Sequence, residues 1–342
     1  MKSRVELIGA FHALGNFLRN ELDATQSIWV EDLTRKAFEQ NGWFEPRETI
    51  TALRYWSEFL HQEKLGVWLE DSKFADSPAR VGLILAGNIP MVGFHDVLTT
   101  ILSGHKAIIK LSRNDALLIP ELLKIASREL PKLSNSYELI DRLKGFDAAI
   151  ATGSNNSTRY FNSYFSHVPK IIRGNKTGVA ILNGNESKEE LNGLMKDCFT
   201  YFGLGCRNIT KLYLPEDYDL NKIFEASIPF AYLMNNSKYG NNYTYHKALM
   251  MLERKPVLEN ELILIIHNPS LYSPVSVLNY EIYKNEYELS KMIEQNLESI
   301  QCVVGHNNRA FGTGQLPMLD DYADGVNTLK FLSNLQSERL PN

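Results

Sequence analysis

The residue best suited to chemistry in this chain is Cys206, set in Phe202-Gly203-Leu204-Gly205-Cys206-Arg207-Asn208. The segment lies between a helical pattern, about Lys188 to Tyr201, and an apolar run from Ile209 to Leu214. A thiol on a glycine-flanked loop at the mouth of a strand can be approached by a substrate, because glycines carry no side chain to cover it. Cys206 is therefore the candidate nucleophile, with a small apolar residue that happens to be cysteine as the bland alternative. Gly87-Asn88-Ile89-Pro90 puts a carboxamide at a strand end. Its N–H could donate to a developing oxyanion, and such donors lower a barrier by on the order of 3 kcal/mol each. A turn asparagine beside Pro90 is the commoner reading of that tetrapeptide in isolation. Lys110 ends an apolar run and could reach a phosphate or ribose, or it is a solvated lysine at a strand end. Thr152-Gly153-Ser154 sits where a strand meets a helix, the arrangement that offers backbone N–H groups to phosphate. It is not a GxGxxG fingerprint, and Gly312-Thr313-Gly314 is weaker still. His95, His105, His246, His267 and His306 show no metal-ligand spacing, and neither Ser112 nor Ser154 lies in a nucleophile elbow. No metal is expected.

These residues need elements to position them. Leu7, Phe11, Leu14, Phe17 and Leu18, then Ile50, Leu53, Trp56 and Leu60, recur at helical spacing, with Gly42 and Pro46 between them, so residues 1 to about 75 are expected as packing helices. The pattern changes at Arg80. Val81-Gly82-Leu83-Ile84-Leu85-Ala86 is wholly apolar, as in strands buried on both faces of a parallel sheet. A helix from about Gly93 to Ser103 and a strand at Ala107-Ile108-Ile109 complete a βαβ unit. A helix near Ala116 to Leu130, strands at Asp147 to Ala151, Lys170 to Ile172 and Val179 to Leu182, and a helix near Thr158 to Phe165 continue the alternation. The expectation is α/β, with a doubly wound domain. Beyond Cys206 the pattern predicts a strand to Leu214, a helix near Leu220 to Ala226, a polar Asn/Tyr-rich stretch from Asn235 to Tyr245, a strand from Leu262 to His267, a helix near Glu286 to Leu297 and a strand from Gln301 to Gly305. Residues 311 to 325 read as loop, and Val326 to Leu335 as a last helix or strand.

Composition narrows the class. At 342 residues, 44% hydrophobic and 22% charged, the chain can bury a large core in two domains or one large one. A net charge of -4 gives no pull towards nucleic acid or an anionic membrane. Three cysteines in this length make neither a disulfide framework nor a zinc site, which favours a reducing, cytoplasmic setting. There is no run of 18 apolar residues and no signal-peptide pattern at the start, so neither a membrane span nor export is expected.

Taken in order, the asparagine after a strand, the strand ending in Lys110-Leu111-Ser112, the Gly153-Ser154 turn and the Gly205-Cys206-Arg207 segment resemble the aldehyde dehydrogenase superfamily. Within it the likeness is closest to the acyl-CoA reductases that supply fatty aldehyde to bacterial luciferase. Ile300-Gln301-Cys302-Val303-Val304-Gly305 and Asp321-Tyr322-Ala323-Asp324-Gly325 look like that branch too, so the resemblance spans about residues 80 to 335. It implies that Cys206 accepts the acyl group, that Asn88 and the Cys206 N–H form an oxyanion hole, that Lys110 holds the cofactor ribose, and that Gly153 and Ser154 approach the pyrophosphate. It also implies N-terminal helices with a dinucleotide-binding domain over 1–175, a catalytic domain over 176–310, and an extension over 311–342 that returns to the cofactor domain or serves oligomer contacts.

Two departures from the family pattern carry information. Hydrolytic members have a glutamate before the catalytic domain that activates water, whereas Lys170-Ile171-Ile172-Arg173-Gly174-Asn175-Lys176 contains no acid. Thiol exchange or reduction then becomes the expected fate of an acyl-enzyme. After Lys110, where NAD-preferring members often carry an acid, this chain has Ser112-Arg113, which suits a 2′-phosphate. The expected reaction is NADPH-dependent reduction of an acyl-CoA, or another acyl thioester, to an aldehyde, with NADH as the alternative cofactor and a homo-oligomer compatible with it. The alternatives are a cysteine-dependent acyltransferase or thioesterase, and a non-catalytic binding protein of the same fold.

Overall fold

The structure, a computed structural model, describes residues 3–335. The chain divides into two compact units, residues 1–174 with 318–342, and residues 175–317. The segment after Met318 thus belongs with the N-terminal unit.

The first unit begins with four helices, α1 (Arg4–Asp23), α2 (Ile28–Gln40), α3 (Pro46–Phe59) and α4 (Gln62–Leu69). Ser3 and Glu6 close a capping box at the start of α1, satisfying two N–H groups that a helix leaves open there. The expected apolar stripe faces inward, with Leu7, Phe11, Leu14 and Leu18 buried. Strand β1 (Arg80–Ile84) follows, then α5 (Phe94–Leu102), β2 (Lys106–Lys110), α6 (Leu118–Glu129), β3 (Tyr137–Leu139), β4 (Ala148–Thr152), α7 (Asn155–Tyr164) and β5 (Lys170–Arg173). The strands are parallel, in the order β3-β2-β1-β4-β5. Helix α5, which joins β1 to β2, is almost wholly buried, and Phe94 meets Phe11 and Trp56 edge-on at ring separations of 6.4 and 4.8 Å. Burial of such aromatic and aliphatic side chains, about 1.5–3 kcal/mol each, ties the helical layer to the sheet.

The second unit holds β6 (Thr177–Ile181), α8 (Lys188–Phe199), β7 (Ile209–Pro215), α9 (Asn221–Ser227), α10 (Ser237–Leu252), β8 (Leu258–Glu259), β9 (Leu264–His267), β10 (Val277–Tyr283), α11 (Glu286–Glu294) and β11 (Ile300–Val304). Its sheet runs β11-β6-β7-β10-β9-β8, parallel except for the β8–β9 pair. In the first unit again, α12 (Thr328–Asn334) closes the described chain.

Four elements depart from the sequence expectation, the two-residue β8 among them. Strand β3 was not anticipated, since three residues are too few to show a pattern. Strand β10 was not anticipated either. Its run, Val-Leu-Asn-Tyr-Glu-Ile-Tyr, mixes polar groups into a central strand, where Asn279 Nδ2 donates to the Ser270 and Tyr272 carbonyls and Glu281 pairs with the buried Lys211 at 2.7 Å. The Asn/Tyr-rich stretch is the first half of α10, which buries Tyr239, Tyr243 and Met250 rather than an aliphatic stripe.

Candidate functional site

In the first unit the expected cofactor residues collect at the carboxyl edge of the sheet. Ile84 pairs with Lys110 on one side and Ala151 on the other, so β1, β2 and β4 end in one row. The strand order reverses between β1 and β4, and open α/β sheets bind ligands in the crevice at that point. Asn88 lies exposed in the bend after β1, Lys110 and Ser112 are half-buried at the end of β2, and Arg113 is exposed in the short turn that follows. Among the described residues neither Lys110 nor Arg113 forms an ion pair. Gly87 abuts Ser112: a Cβ there would come within 2.5 Å of its hydroxyl. Gly153 plays the same part after β4, where a Cβ would meet Ser157 Cβ at 2.8 Å and the Phe161 ring at 2.9 Å. Ser154 is exposed and caps α7 by accepting the Ser157 N–H at 3.3 Å. The N-terminus of α7 therefore opens at the crevice with its partial positive charge. Two cations, two glycines and a helix N-terminus fit a dinucleotide's phosphates and ribose.

This edge has an anchor that the sequence did not reveal. The turn carrying Asn88 ends at Met91, a non-glycine residue at φ 56°. Asp115, buried, accepts the Met91 N–H at 2.7 Å, and burial pushes its carboxyl up to about 6. A left-handed methionine costs about 1–2 kcal/mol and persists only where its surroundings hold it.

In the second unit Cys206 occupies the corner of a tight turn at the amino end of β7. Asn208 N–H donates to the Gly205 carbonyl at 3.1 Å, closing a four-residue turn with Cys206 and Arg207 at its centre. Gly205 N–H in turn donates to Asn208 Oδ1 at 2.7 Å. Gly178 on β6 lets this corner approach the sheet, since a Cβ there would lie 2.6 Å from the Arg207 carbonyl oxygen. The segment entering the turn is unusual: Tyr201 and Phe202 at φ 56° and Gly203 at φ 76° are left-handed in succession, although Tyr201 and Phe202 are both buried. Cys206 is half-buried, whereas Cys198 and Cys302 are buried. Burial pushes the Cys198 thiol up, and it pushes Cys302, whose Sγ lies 3.5 Å from the Arg207 carbonyl, up to about 11. Of the three thiols only Cys206 is not buried.

Asp197, in the last turn of α8, is buried and accepts N–H groups from Gly312 at 2.7 Å and Gly314 at 2.8 Å. Burial pushes it up to about 6. The Gly312-Thr313-Gly314 loop is thus clamped beside the end of α8. An acid in a helix's last turn runs against the dipole preference, which is the one sequence signal that could have singled it out.

No family model and no curated protein matches the sequence. Solved structures do match the fold. An aldehyde dehydrogenase from Mycobacterium tuberculosis, complexed with NAD+, aligns at a TM-score of 0.64 and 14% identity over 98% of this chain and 84% of that one. An NAD-dependent aldehyde dehydrogenase from Sinorhizobium meliloti aligns at 0.66 and 11% identity over 92% and 73%. A betaine aldehyde dehydrogenase from Staphylococcus aureus, in complex with NAD+, aligns at 0.58 and 12% identity over 85% and 68%. The chain has the aldehyde dehydrogenase-like fold that its motifs led one to expect. Among the described residues no helix is long and apolar enough to cross a membrane, and no group of three His, Cys, Asp or Glu side chains is placed to hold a metal ion.

Proposed function

We propose that the protein reduces an acyl thioester, such as an acyl-CoA, to the aldehyde at the expense of NADPH. The observation that carries the reading is that Cys206, on its turn, is only half-buried while the other two thiols are buried. In this reading the Cys206 thiolate attacks the thioester carbonyl, the carbon–sulfur bond to CoA breaks, and CoA leaves as its thiol after taking up a proton. The Cys206 N–H and the Asn88 carboxamide are assigned to the oxyanion. Lys110, Ser112 and Arg113 are assigned to the cofactor's ribose and 2′-phosphate, and Gly153 and Ser154 to its pyrophosphate. Reduced nicotinamide, when bound, supplies the hydride that converts the acyl-cysteine into a thiohemiacetal. Collapse of that adduct restores the thiolate and releases aldehyde.

Hydrolysis is poorly provided for. The stretch from Lys170 to Lys176 offers no carboxylate, and its buried cation, Arg173, is engaged by Asp96 and by Thr328 Oγ1 at 2.9 Å. Without a base to activate water, an acyl-cysteine waits for another acceptor. The test is to mix the protein with a long-chain acyl-CoA and NADPH and follow absorbance of the reduced cofactor. Oxidation that disappears in Cys206→Ala supports the reading. CoA release with no NADPH consumed points instead to an acyltransferase or thioesterase, and neither acylation nor nucleotide binding would leave a binding protein.

A further inference from the structure

We propose that Asn208 is the positioning residue of the nucleophile: its carboxamide holds the loop on both sides of Cys206 in the shape that presents the thiol. The proposal rests on Cys206 being the acyl acceptor, and the experiment below separates the two.

The Asn208 side chain has no solvent exposure, and its bonds converge on the loop. Oδ1 accepts the Gly205 N–H at 2.7 Å, immediately before the cysteine. Nδ2 donates to the carbonyls of Thr200 at 2.8 Å, Asp197 at 2.9 Å and Cys198 at 3.2 Å. Two N–H groups thus serve three acceptors, so at least one of these bonds is shared. The main chain of Asn208 is fixed as well: its carbonyl accepts the Gly178 N–H at 2.9 Å and the Thr177 hydroxyl at 3.2 Å. One buried residue therefore joins the end of α8, the two flanks of the left-handed run from Tyr201 to Gly203, the residue preceding the thiol and, through its main chain, strand β6.

Two physical consequences follow. A buried phenylalanine and tyrosine at positive φ hold that conformation only if something over-determines it, and Asn208 bonds the chain on both flanks of the pair, at Thr200 and at Gly205. The last carbonyls of α8 also form the negative end of a helix dipole ahead of a thiol that must become an anion. The Asn208 amide protons sit on the Asp197 and Cys198 carbonyls and blunt that end. Asn208 touches neither substrate nor cofactor in this account; it acts through Cys206.

The experiment compares the full-length wild type with Asn208→Ala and Asn208→Asp. It measures amide hydrogen exchange at Gly205, single-turnover acylation of Cys206 by an acyl-CoA, alkylation by iodoacetamide, and NADPH binding. In Asn208→Ala, Gly205 exchange is expected to rise at least tenfold. Acylation is expected to fall about 100-fold, the size of loss that a shift of an ångström or so imposes on a reacting group. The loss should appear in kcat with little change in KM, while NADPH affinity stays the same and iodoacetamide labelling stays within a few-fold. Asn208→Asp keeps an oxygen for the Gly205 N–H but turns its other oxygen toward three carbonyls, so it should keep Gly205 partly protected while acylation stays low. It also serves if the alanine variant fails to fold. A folded variant that is acylated at the wild-type rate, or that leaves Gly205 exchange unchanged on removal of the carboxamide, overturns the proposal. If wild type itself takes no acyl group, the functional reading fails, and Gly205 exchange still decides whether Asn208 anchors the loop.

Discussion

The carboxyl edge of the first sheet and the amino mouth of β7 in the second are built on opposite principles. The first edge is open because its strands stop in register, Ile84 beside Lys110 and Ala151, and because Gly87 and Gly153 leave room for close approach. The mouth of β7 is shaped by bulky residues forced left-handed, Tyr201 and Phe202, and by a buried carboxamide that gathers the surrounding carbonyls. Yet each unit uses one buried acid as a clamp: Asp115 on the Met91 N–H, and Asp197 on the N–H groups of Gly312 and Gly314. An open edge can be made from regular strands and absent side chains. A tight corner such as that of Cys206 needs its backbone pinned.

The largest effect that would break this contrast is chemical. Cys206→Ser should lower aldehyde formation from acyl-CoA by at least about 1,000-fold, in line with the loss of a covalent nucleophile. Cys302→Ser and Cys198→Ala should stay within a few-fold, because their thiols are buried and burial opposes their ionisation. Steady-state rates of the three variants check this, and a comparable loss in Cys302→Ser would move the chemistry off the Cys206 turn.

The next concerns the paired clamps. An ordinary aspartate in the unfolded chain titrates near 3.8, and folding raises Asp115 and Asp197 to about 6. Between pH 4 and 6 these two carboxyls therefore bind more protons in the folded than in the unfolded chain, and the stability they contribute falls as pH rises through that window and levels off above it. Each acid contributes up to about 3 kcal/mol to this fall over the whole window. Asp115→Asn or Asp197→Asn should flatten it, which urea unfolding midpoints at pH 4.5, 5.5 and 6.5 would reveal. An unchanged slope in both variants would mean that the acids are hydrated in solution.

How far this could be seen in the sequence follows the same contrast. Strands β1, β2 and β4 were legible because a strand buried on both faces must be a continuous apolar run, and Lys110 and Gly153 stand where those runs end. Cys206 was legible from its glycines. Asn208 was not, since one polar residue before a strand has no period or spacing to mark it, and its value lies in carbonyls eight to eleven residues upstream. Strand β10 and helix α10 were hidden for a related reason: Asn279 and Glu281 find partners inside the unit, and tyrosines take the place of leucines, so polarity no longer reports exposure.

The first edge can be tested through its glycine. Gly153→Val would push side-chain atoms into Ser157 and Phe161, displacing the start of α7 and the N–H groups assigned to the pyrophosphate. NADPH affinity should drop by roughly 10- to 100-fold, equivalent to about 1.4–2.7 kcal/mol. Acylation of Cys206 in the absence of cofactor should be unaffected. Fluorescence titration and mass spectrometry of the acyl-enzyme separate the two, and a variant that loses acylation while still binding NADPH would show that the division of labour is misplaced.

The smallest effect is the most discriminating. Arg113 is exposed and makes no ion pair among the described residues, so its removal should cost little stability, within about 0.5 kcal/mol as for ordinary surface substitutions. If its guanidinium meets a 2′-phosphate, a charge-assisted contact worth about 1.5–3 kcal/mol is lost in Arg113→Ala. Partial exposure to solvent makes roughly tenfold weaker NADPH binding the expected result, with NADH binding unchanged because NADH has no 2′-phosphate. Arg113→Glu should go further and repel NADPH while leaving NADH bound. Equal losses for the two cofactors would assign Arg113 to the shared pyrophosphate instead, and no loss for either would return it to the solvated surface.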